Sequence, residues 1–281
     1  MNLSPYLFTG LKKILPCTLK QRFACLRYDL FNVFSSVSIE TSAVCNRRCW
    51  YCPNSLHDRG GSASDDRRME DGLFRKIIDE LARKKWYGKI ELDLYNEPLM
   101  DDRIVEFVSY TRKKLRNSFI SMATNGDFLT IDIFNALVNA GMNEFVITRH
   151  DKEDSAMVKA LKEYLGAQKK ETARVHFKIL EYITSRGGLI TSSVDPYKRK
   201  YCEYPLWAIF INYKGDMLFC CEDYLNTVKL GNVKHESLFD IWNKPYNRKL
   251  RKEIRRGDFT LPICKKCGFL PNVKPEDKTR R

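Results

Sequence analysis

The spacing of apolar residues predicts strands and helices that alternate along the first two thirds of the chain. Residues 34–39 alternate apolar and polar side chains as a strand does, whereas 71–84 has apolar residues at helical spacing. The same reasoning predicts strands at 89–95, 118–123, 143–148 and 173–182, separated by helices at 102–115, 130–140 and 152–165. Such alternation favours a parallel sheet with helices outside it, and we expect an α/β fold in the form of an open or partial β/α barrel.

The pattern changes beyond about residue 184. Short strands at 208–213 and 216–220 flank Lys214 and Gly215, which predicts a β-hairpin. Ser237 and Asp240 have the spacing of a capping box, so we expect one helix from there through Ile254, ended by Gly257. We therefore divide the chain into four parts: an N-terminal arm (1–35), the barrel (36–183), a smaller module (184–270) and a polar tail (271–281).

The net charge of +14 comes from 49 Lys and Arg against 35 Asp and Glu. Such a charge suits nucleic acid, an anionic membrane surface, or a phosphorylated or nucleotide-linked substrate. It suits equally well a set of solvated helix faces, such as residues 248–256. We favour this last explanation and expect no nucleic-acid partner, because no basic stripe interleaved with aromatic residues is present.

The sequence carries no signal for a membrane-spanning helix or for secretion. No run of 18 apolar residues occurs, and the N-terminal arm lacks the compact apolar core and cleavage site of a signal peptide. This arm could lie on a membrane as a basic amphipathic segment, although a helix that covers the open edge of the barrel is the interpretation we favour.

The chain has ten cysteines, and most of them cluster at the spacings of metal ligands. Disulfide-rich domains are usually small and secreted, so we expect a cytoplasmic protein whose cysteines bind metal. The first cluster is Cys45, Cys49 and Cys52, in one short loop directly after the first strand. Three thiolates can hold a cubic iron–sulfur cluster and leave one iron open. A zinc site that pairs this loop with Cys264 and Cys267 is the alternative.

The segment Cys-Asn-Arg-Arg-Cys-Trp-Tyr-Cys at 45–52 resembles the signature of the radical S-adenosylmethionine (radical SAM) superfamily. This resemblance implies that the open iron binds S-adenosylmethionine and that Tyr51 packs near its adenine. Asn96-Glu97-Pro98 is similar to the family's Gly-Glu-Pro segment, so Glu97 is expected to meet the amino group of the methionine, with Asn96 in place of the usual glycine. By position at strand ends, the carboxylate and ribose are expected to contact four further residues: Thr124, Asn125, Arg149 and His150.

A second set of four cysteines follows in the C-terminal part of the chain. Cys202 and Cys220 flank the predicted hairpin, and Cys264 and Cys267 form a Cys-x-x-Cys pair. Four ligands would close a second 4Fe–4S cluster to substrate and leave it an electronic role. Together with Leu-Gly-Asn-Val at 230–233, this pattern resembles the auxiliary-cluster modules called SPASM and twitch. Since the chain stops soon after Cys267, we expect the shorter, one-cluster twitch form.

Several segments between about residues 36 and 268 are similar to the 2-deoxy-scyllo-inosamine dehydrogenases, a radical SAM family that oxidises a secondary alcohol of an aminocyclitol. These segments are 45–55, 124–129, 185–188 and 220–223. The resemblance implies that Tyr95, Arg186 and Glu222 face the substrate. Cys221 and Ala123 replace two aromatic residues of that pocket. We therefore expect a carbohydrate-like substrate, and the sequence leaves its particular identity open.

The resemblance also implies a mechanism. A 5′-deoxyadenosyl radical takes hydrogen from a carbinol carbon, and the substrate is oxidised to a ketone while one electron passes to the auxiliary cluster. A flavodoxin- or ferredoxin-type protein is the expected reductant. Three alternatives stay open. The first is an epimerase, in which the Cys221 thiol returns a hydrogen atom to the substrate. The second is a peptide or protein maturase, disfavoured because no leader-recognition domain precedes the barrel. The third is a protein that binds metal without catalysis.

Overall fold

The computed structural model describes residues 33–57, 67–168, 173–180, 183–190 and 202–267. The predicted polar tail and the N-terminal arm up to residue 32 lie outside the described residues, and so do Cys17 and Cys25 of that arm. No helix in the described part of the chain is both long enough and apolar enough to span a membrane.

The described strands form a single sheet of eight, in the order β5-β4-β3-β2-β1-β6-β7-β8. The pairs from β5 through β1 to β6 are parallel, whereas β7 and β8 are antiparallel additions. The expected parallel β/α architecture and the hairpin are therefore confirmed. The strands are β1 Ser36–Ile39, β2 Lys89–Glu91, β3 Phe119–Thr124, β4 Glu144–Arg149, β5 Arg174–Ile179, β6 Ala208–Ile211, β7 Asp216–Leu218 and β8 Gly231–Asn232.

Helices connect the strands, and their ends follow local capping chemistry. The Thr130 hydroxyl accepts a hydrogen bond from the Ile133 N–H at 3.2 Å, and Gly141 ends the same helix at φ 108°, in the left-handed region that glycine tolerates. The described helices are α1 Pro53–Leu56, α2 Asp71–Arg83, α3 Ile104–Lys114, α4 Ile131–Ala140, α5 Ala156–Ala167, α6 Tyr204–Trp207, α7 Leu238–Asn243, α8 Pro245–Arg256 and α9 Pro262–Lys266.

One predicted helix is wrong. The segment expected to run as a single helix from Ser237 through Ile254 is divided into α7 and α8 at Lys244 and Pro245. A proline lacks the backbone N–H that a helix interior needs, and it disfavours helical geometry in the residue before it. Lys244 accordingly adopts φ −50° and ψ 139°. The predicted cap at the start is present, since the Ser237 hydroxyl accepts a hydrogen bond from the Asp240 N–H at 3.3 Å.

The two faces of the sheet differ in chemistry because side chains alternate along each strand. One face is apolar and packs against the helices in the main hydrophobic core, with strand residues Val37, Ile90, Ile120, Phe145 and Ile209. On the opposite face, the register aligns polar residues across adjacent strands: Ser38, Glu91, Ser121 and Glu144. The inside of the partial barrel is therefore polar.

The C-terminal module shares this sheet with the barrel. Strand β6 pairs in parallel with β1 from Ser36 opposite Ala208 to Ile39 opposite Ile211. The loop that follows β1 carries the first cysteine set, and the hairpin that follows β6 carries Cys220. This pairing brings the two halves of the site to one edge of the sheet.

Candidate functional site

The first cysteine loop is shaped by its own backbone. Cys52 occupies the N-cap position of α1, and its N–H donates to the Cys49 carbonyl at 3.0 Å. None of the three cysteines of the loop forms a disulfide, and all three are partly buried. Burial raises the pKa of Cys45, and the nearby Glu97 carboxylate and the other two thiols act in the same direction. A cation bound among these thiols would relieve that unfavourable electrostatic energy.

Arg47, inside the loop, anchors it to the strand ends beyond β3 and β4. Its guanidinium donates two hydrogen bonds of 2.7 Å to the Asp127 carboxylate and one of 2.6 Å to Asp151. Asn46 also donates to Asp127, at 2.8 Å, and accepts from the Asn125 amide at 2.8 Å. The sequence reasoning missed this anchor. The available signal was an arginine inside the cysteine motif and an aspartate directly after the predicted Thr124–Asn125–Gly126 segment.

Glu97 connects the segments that follow the carboxyl ends of the strands, and we refer to this edge of the sheet as the rim. Its carboxylate is buried and accepts hydrogen bonds from the Thr124 hydroxyl at 2.6 Å, the Asn125 N–H at 2.8 Å and the Leu99 N–H at 3.2 Å. Its own N–H donates to the Val44 carbonyl at 2.9 Å, directly before Cys45. Burial raises the pKa of Glu97, although these hydrogen bonds oppose the shift. Through its carboxylate and its backbone N–H together, this one residue joins the end of β3 to the segment that leads into the cysteine loop.

Two hydrogen-bond donors at this rim are buried without a partner among the described residues: Asn96 Nδ2 and Arg149 Nε. Leaving a buried donor unpaired costs about 1–3 kcal/mol, so these groups suit an anionic ligand. Nearby, the Tyr51 hydroxyl lies 2.6 Å from His150 Nδ1, and the two rings stack with centroids 6.1 Å apart. Burial raises the pKa of Tyr51 and lowers that of His150. A rim with unpaired donors beside the Glu97 carboxylate suits a ligand that carries both a carboxylate and an ammonium group.

The second set of cysteines lies around one pocket. Cys202, Cys220, Cys264 and Cys267 line one pocket, together with Cys221 and the apolar side chains of Pro205, Phe219, Ile254 and Ile263. Burial raises the pKa of Cys220, and Cys221 and Cys202 add to the shift. Four thiols around one pocket match the number of ligands that a closed 4Fe–4S cluster takes.

The residues expected to face the substrate lie beside this pocket. The Tyr95 hydroxyl donates to the Cys221 backbone carbonyl at 2.6 Å, and Arg186 forms an ion pair of 3.2 Å with Glu222 Oε1. The other oxygen, Glu222 Oε2, is buried without a partner among the described residues. Gly187 has φ 65°, and a Cβ there would lie 3.0 Å from the Glu222 carbonyl oxygen, so this turn needs glycine to hold Arg186 against Glu222.

All eighteen predicted site residues therefore fall into two neighbouring groups. Those expected to contact S-adenosylmethionine surround the first cysteine loop, and those expected to contact substrate lie beside the second pocket. The two groups adjoin at Arg186, whose charge interacts with Cys52 of the first set as well as with Cys221.

Two protein-family models match this chain. The model of the radical SAM superfamily matches residues 39–193, and the iron–sulfur cluster-binding domain SPASM matches residues 202–268. S-adenosyl-L-methionine-dependent 2-deoxy-scyllo-inosamine dehydrogenase from Niallia circulans is 29% identical over 250 residues, which cover 88% of this chain and 97% of that protein.

Solved structures are similar over most of the chain. BtrN in complex with AdoMet and 2-DOIA has a TM-score of 0.75 at 25% identity, covering 85% of this chain and 94% of BtrN. BtrN in an open conformation has a TM-score of 0.66 at 24% identity, covering 84% and 93% of the two chains. Native anSMEcpe with bound AdoMet, at 12% identity and a TM-score of 0.53 over 83% and 88%, shares the fold.

These matches confirm the predicted barrel with its C-terminal SPASM-type module, and the predicted cofactors, S-adenosylmethionine and 4Fe–4S clusters. They favour iron–sulfur chemistry over the zinc alternative. Because its family model spans more than half of the 281 residues, the chain belongs to the radical SAM superfamily.

Proposed function

We propose that this radical SAM oxidoreductase oxidises a secondary alcohol of a cyclitol or sugar-like small molecule to a ketone. The observation that carries the proposal is the position of Arg186, paired with Glu222 and placed where both Cys52 and Cys221 act on its charge. A substrate held by this pair would lie between the two sets of cysteines. A hydrogen atom could then be removed on one side of the substrate and an electron on the other.

The residues present fit the cofactors. Cys45, Cys49 and Cys52 would hold the first cluster, with Glu97 facing the amino group of S-adenosylmethionine and the unpaired donors Asn96 Nδ2 and Arg149 Nε facing its carboxylate. The auxiliary cluster would be held by Cys202, Cys220, Cys264 and Cys267. When bound, S-adenosylmethionine supplies the 5′-deoxyadenosyl radical that removes a hydrogen atom from the carbinol carbon.

Arg186 would hold the reacting hydroxyl rather than act as a base. Burial tends to lower its pKa, but Glu222 and Tyr95 outweigh that effect and raise the pKa, so the guanidinium keeps its charge. A fixed cation beside the hydroxyl stabilises the oxyanion that forms as the proton leaves. Glu222 Oε2, which has no partner in the described part of the chain, would accept that proton or a hydrogen bond from a neighbouring hydroxyl or amino group.

The substrate itself is proposed only as a class. The curated relative acts, by its name, on 2-deoxy-scyllo-inosamine. The small side chains of Ala123 and Cys221, where the resembling family is expected to carry aromatic rings, favour a substrate of different shape.

Epimerisation of a carbohydrate is the second candidate, and one observation favours it. The Cys221 thiol is close enough to Glu222 and Arg186 for their charges to act on it, so it lies beside the same proposed substrate position. Oxidation is the first proposal because Cys221 also lines the pocket of the auxiliary cluster, where it can serve as packing.

Two further parts of the proposal concern the cellular setting. The reductant would be a flavodoxin- or ferredoxin-type protein, since the first cluster needs single electrons. The location would be the cytoplasm, because the eight cysteines in the described part of the chain form no disulfide and a reducing compartment keeps thiols reduced.

The test is anaerobic turnover in deuterated water with S-adenosylmethionine, 2-deoxy-scyllo-inosamine and a panel of cyclitols and sugars. Oxidation predicts a ketone two hydrogens lighter than its substrate, and epimerisation predicts an isomer that carries one solvent deuteron. Glu222→Gln should abolish either product, whereas Glu163→Gln, an exposed change on α5, should not. Release of 5′-deoxyadenosine without any modified substrate would contradict the proposed substrate class.

A further inference from the structure

The positive charge of the protein is concentrated in one C-terminal segment. Residues 244–267 contain nine Lys and Arg and only two acidic residues, Glu253 and Asp258, which accounts for half of the net charge of +14. Seven of these basic residues have exposed side chains: Arg248, Lys249, Lys252, Arg255 and Arg256 on α8, and Lys265 and Lys266 on α9. We refer to these seven residues as the basic surface.

The basic surface lies directly over the pocket of the second cysteine set. The buried side of α8 places Leu250 and Ile254 in the apolar cluster that contains Cys202 and Cys264. Because an α-helix with its side chains is about 10 Å across, the exposed side of α8 is separated from that cluster by about one helix diameter. Lys265 and Lys266 are sequence neighbours of the second cysteine set, since they lie between Cys264 and Cys267.

The charges on α8 are crowded. Burial, with a contribution from the nearby Arg248, lowers the pKa of Arg251 to about 10, and Arg251 stacks 3.8 Å from the centroid of the Trp242 ring. Glu253 lies 3.9 Å from Lys249, a separation at which an exposed pair contributes little. A like-charged surface of this density attracts an acidic partner over a distance of about one Debye length.

We propose that the basic surface docks an acidic one-electron carrier protein, of the flavodoxin or ferredoxin type, which accepts an electron from the auxiliary cluster. This inference rests on the proposed function. Oxidation of an alcohol to a ketone removes two electrons and two protons. One electron and one proton leave together as the abstracted hydrogen atom, the second proton leaves from the hydroxyl, and the second electron passes to the auxiliary cluster. The carrier gains that electron, so each turnover reduces the carrier by one electron.

Two other occupants fit the surface less well. A membrane-bound amphipathic helix needs a free apolar face, and that face of α8 is buried against the cysteine pocket. Single-stranded nucleic acid is held by several stacking aromatic residues. Helix α8 contains one aromatic residue, Tyr246, which is more than half exposed. The position of the basic surface close to the second cysteine set favours a redox partner, because electron transfer requires a short distance between the two redox groups.

The test measures carrier binding directly on the reconstituted holoenzyme. Arg248→Glu combined with Lys252→Glu reverses two charges one helical turn apart on α8. The matched control, Lys113→Glu with Arg116→Glu, makes the same change in net charge at two exposed positions near the end of α3. The probe is a purified flavodoxin with a net negative charge, titrated at about 50 mM and about 500 mM salt.

We expect the α8 pair to weaken flavodoxin binding at least about tenfold at low salt and to flatten its salt dependence, with the control pair within about twofold of the parent protein. A stopped-flow arm mixes prereduced holoenzyme with oxidised flavodoxin and follows the semiquinone, whose formation should slow in parallel. Iron content and circular dichroism check that the variants fold, and Lys252→Glu alone should give an intermediate loss.

Equal flavodoxin binding by the parent and the α8 pair would overturn the proposal. So would a loss confined to a single-stranded RNA or to vesicles of anionic phospholipid, tested as competing probes. Neither binding nor electron transfer requires substrate. A failure to oxidise any cyclitol or sugar would therefore count against the proposed function and leave the docking measurement interpretable.

Discussion

The hydroxyl of Tyr224 lies 3.0 Å from Oδ1 of Asn54, to which it donates a hydrogen bond, and 3.1 Å from the His57 carbonyl oxygen. Asn54 stands two residues beyond Cys52, and Tyr224 stands four beyond Cys220. The Tyr224 ring also packs edge-on against Tyr95, with centroids 4.8 Å apart. One buried tyrosine therefore joins the loop of the first cysteine set to the loop of the second.

Removing this hydroxyl should loosen the two loops without changing any cysteine. We expect Tyr224→Phe to lower the free energy of unfolding by about 1–2 kcal/mol, because Asn54 Oδ1 loses the hydrogen bond that Tyr224 donates. Thermal denaturation measures the loss, and hydrogen exchange should increase in α1. Tyr246→Phe is the matched control, since that side chain is 51% exposed. Unchanged exchange in α1 would show that the contact does not hold the loops together.

The cysteine assignments predict a specific iron content. Anaerobically reconstituted protein should hold about eight irons, as two cubic clusters. The triple variant Cys45→Ala, Cys49→Ala and Cys52→Ala should keep about four irons and lose cleavage of S-adenosylmethionine. The double variant Cys264→Ala and Cys267→Ala should also keep about four, yet still cleave S-adenosylmethionine without forming product. A single cluster in the parent protein would contradict the two-cluster assignment.

The Arg47–Asp127 pair should contribute more to the free energy of unfolding than an ordinary surface ion pair does. Its two side chains are only 19% and 20% exposed, and the contact is bidentate. In a double-mutant cycle with Arg47→Ala and Asp127→Ala, we expect a coupling energy of about 1–3 kcal/mol in unfolding of the apoprotein. The exposed Lys159–Glu153 pair, at 3.3 Å, serves as the control and should give less than about 1 kcal/mol.

Asp93 should make the stability of the protein depend on pH. It lies two residues beyond Glu91, and its Oδ1 accepts a hydrogen bond from the Ala123 N–H at 2.8 Å. Burial and the charge of Glu91 raise the pKa of Asp93 to about 7 from the ordinary 3.8. Between these two values the native state keeps a proton that the unfolded chain has lost, so stability falls as pH rises through this window.

Asp93→Asn removes that ionisation and keeps an oxygen that can accept from Ala123. Its stabilising effect should therefore be small near pH 4, grow up to about pH 7 and stay constant above, reaching on the order of 1–4 kcal/mol. Denaturant unfolding of the reduced apoprotein across this pH range measures it. Asp258→Asn, at an exposed position, should show no such trend. A gain that does not vary with pH would mean that Asp93 is not protonated in the native protein.

The sequence by itself determined the features that depend on residues close together in the chain. The periodicity of apolar residues gave the strands and helices of the barrel, and the spacing of Cys45, Cys49 and Cys52 identified the superfamily. Pro245 was also a local signal. Because proline removes a hydrogen bond that a helix interior requires, this residue alone predicts that α7 ends before it.

Only the tertiary structure decided which distant residues meet. The chain pattern does not indicate that β6 pairs with β1, that Asp127 binds Arg47 across 80 residues, or that Tyr224 reaches Asn54 across 170. A single polar side chain of this kind has no periodicity, and its partner is fixed by how strands and loops assemble rather than by neighbouring residues. The local motifs therefore determine the chemistry that the chain can support, and the packing of the sheet determines the distances at which its groups act.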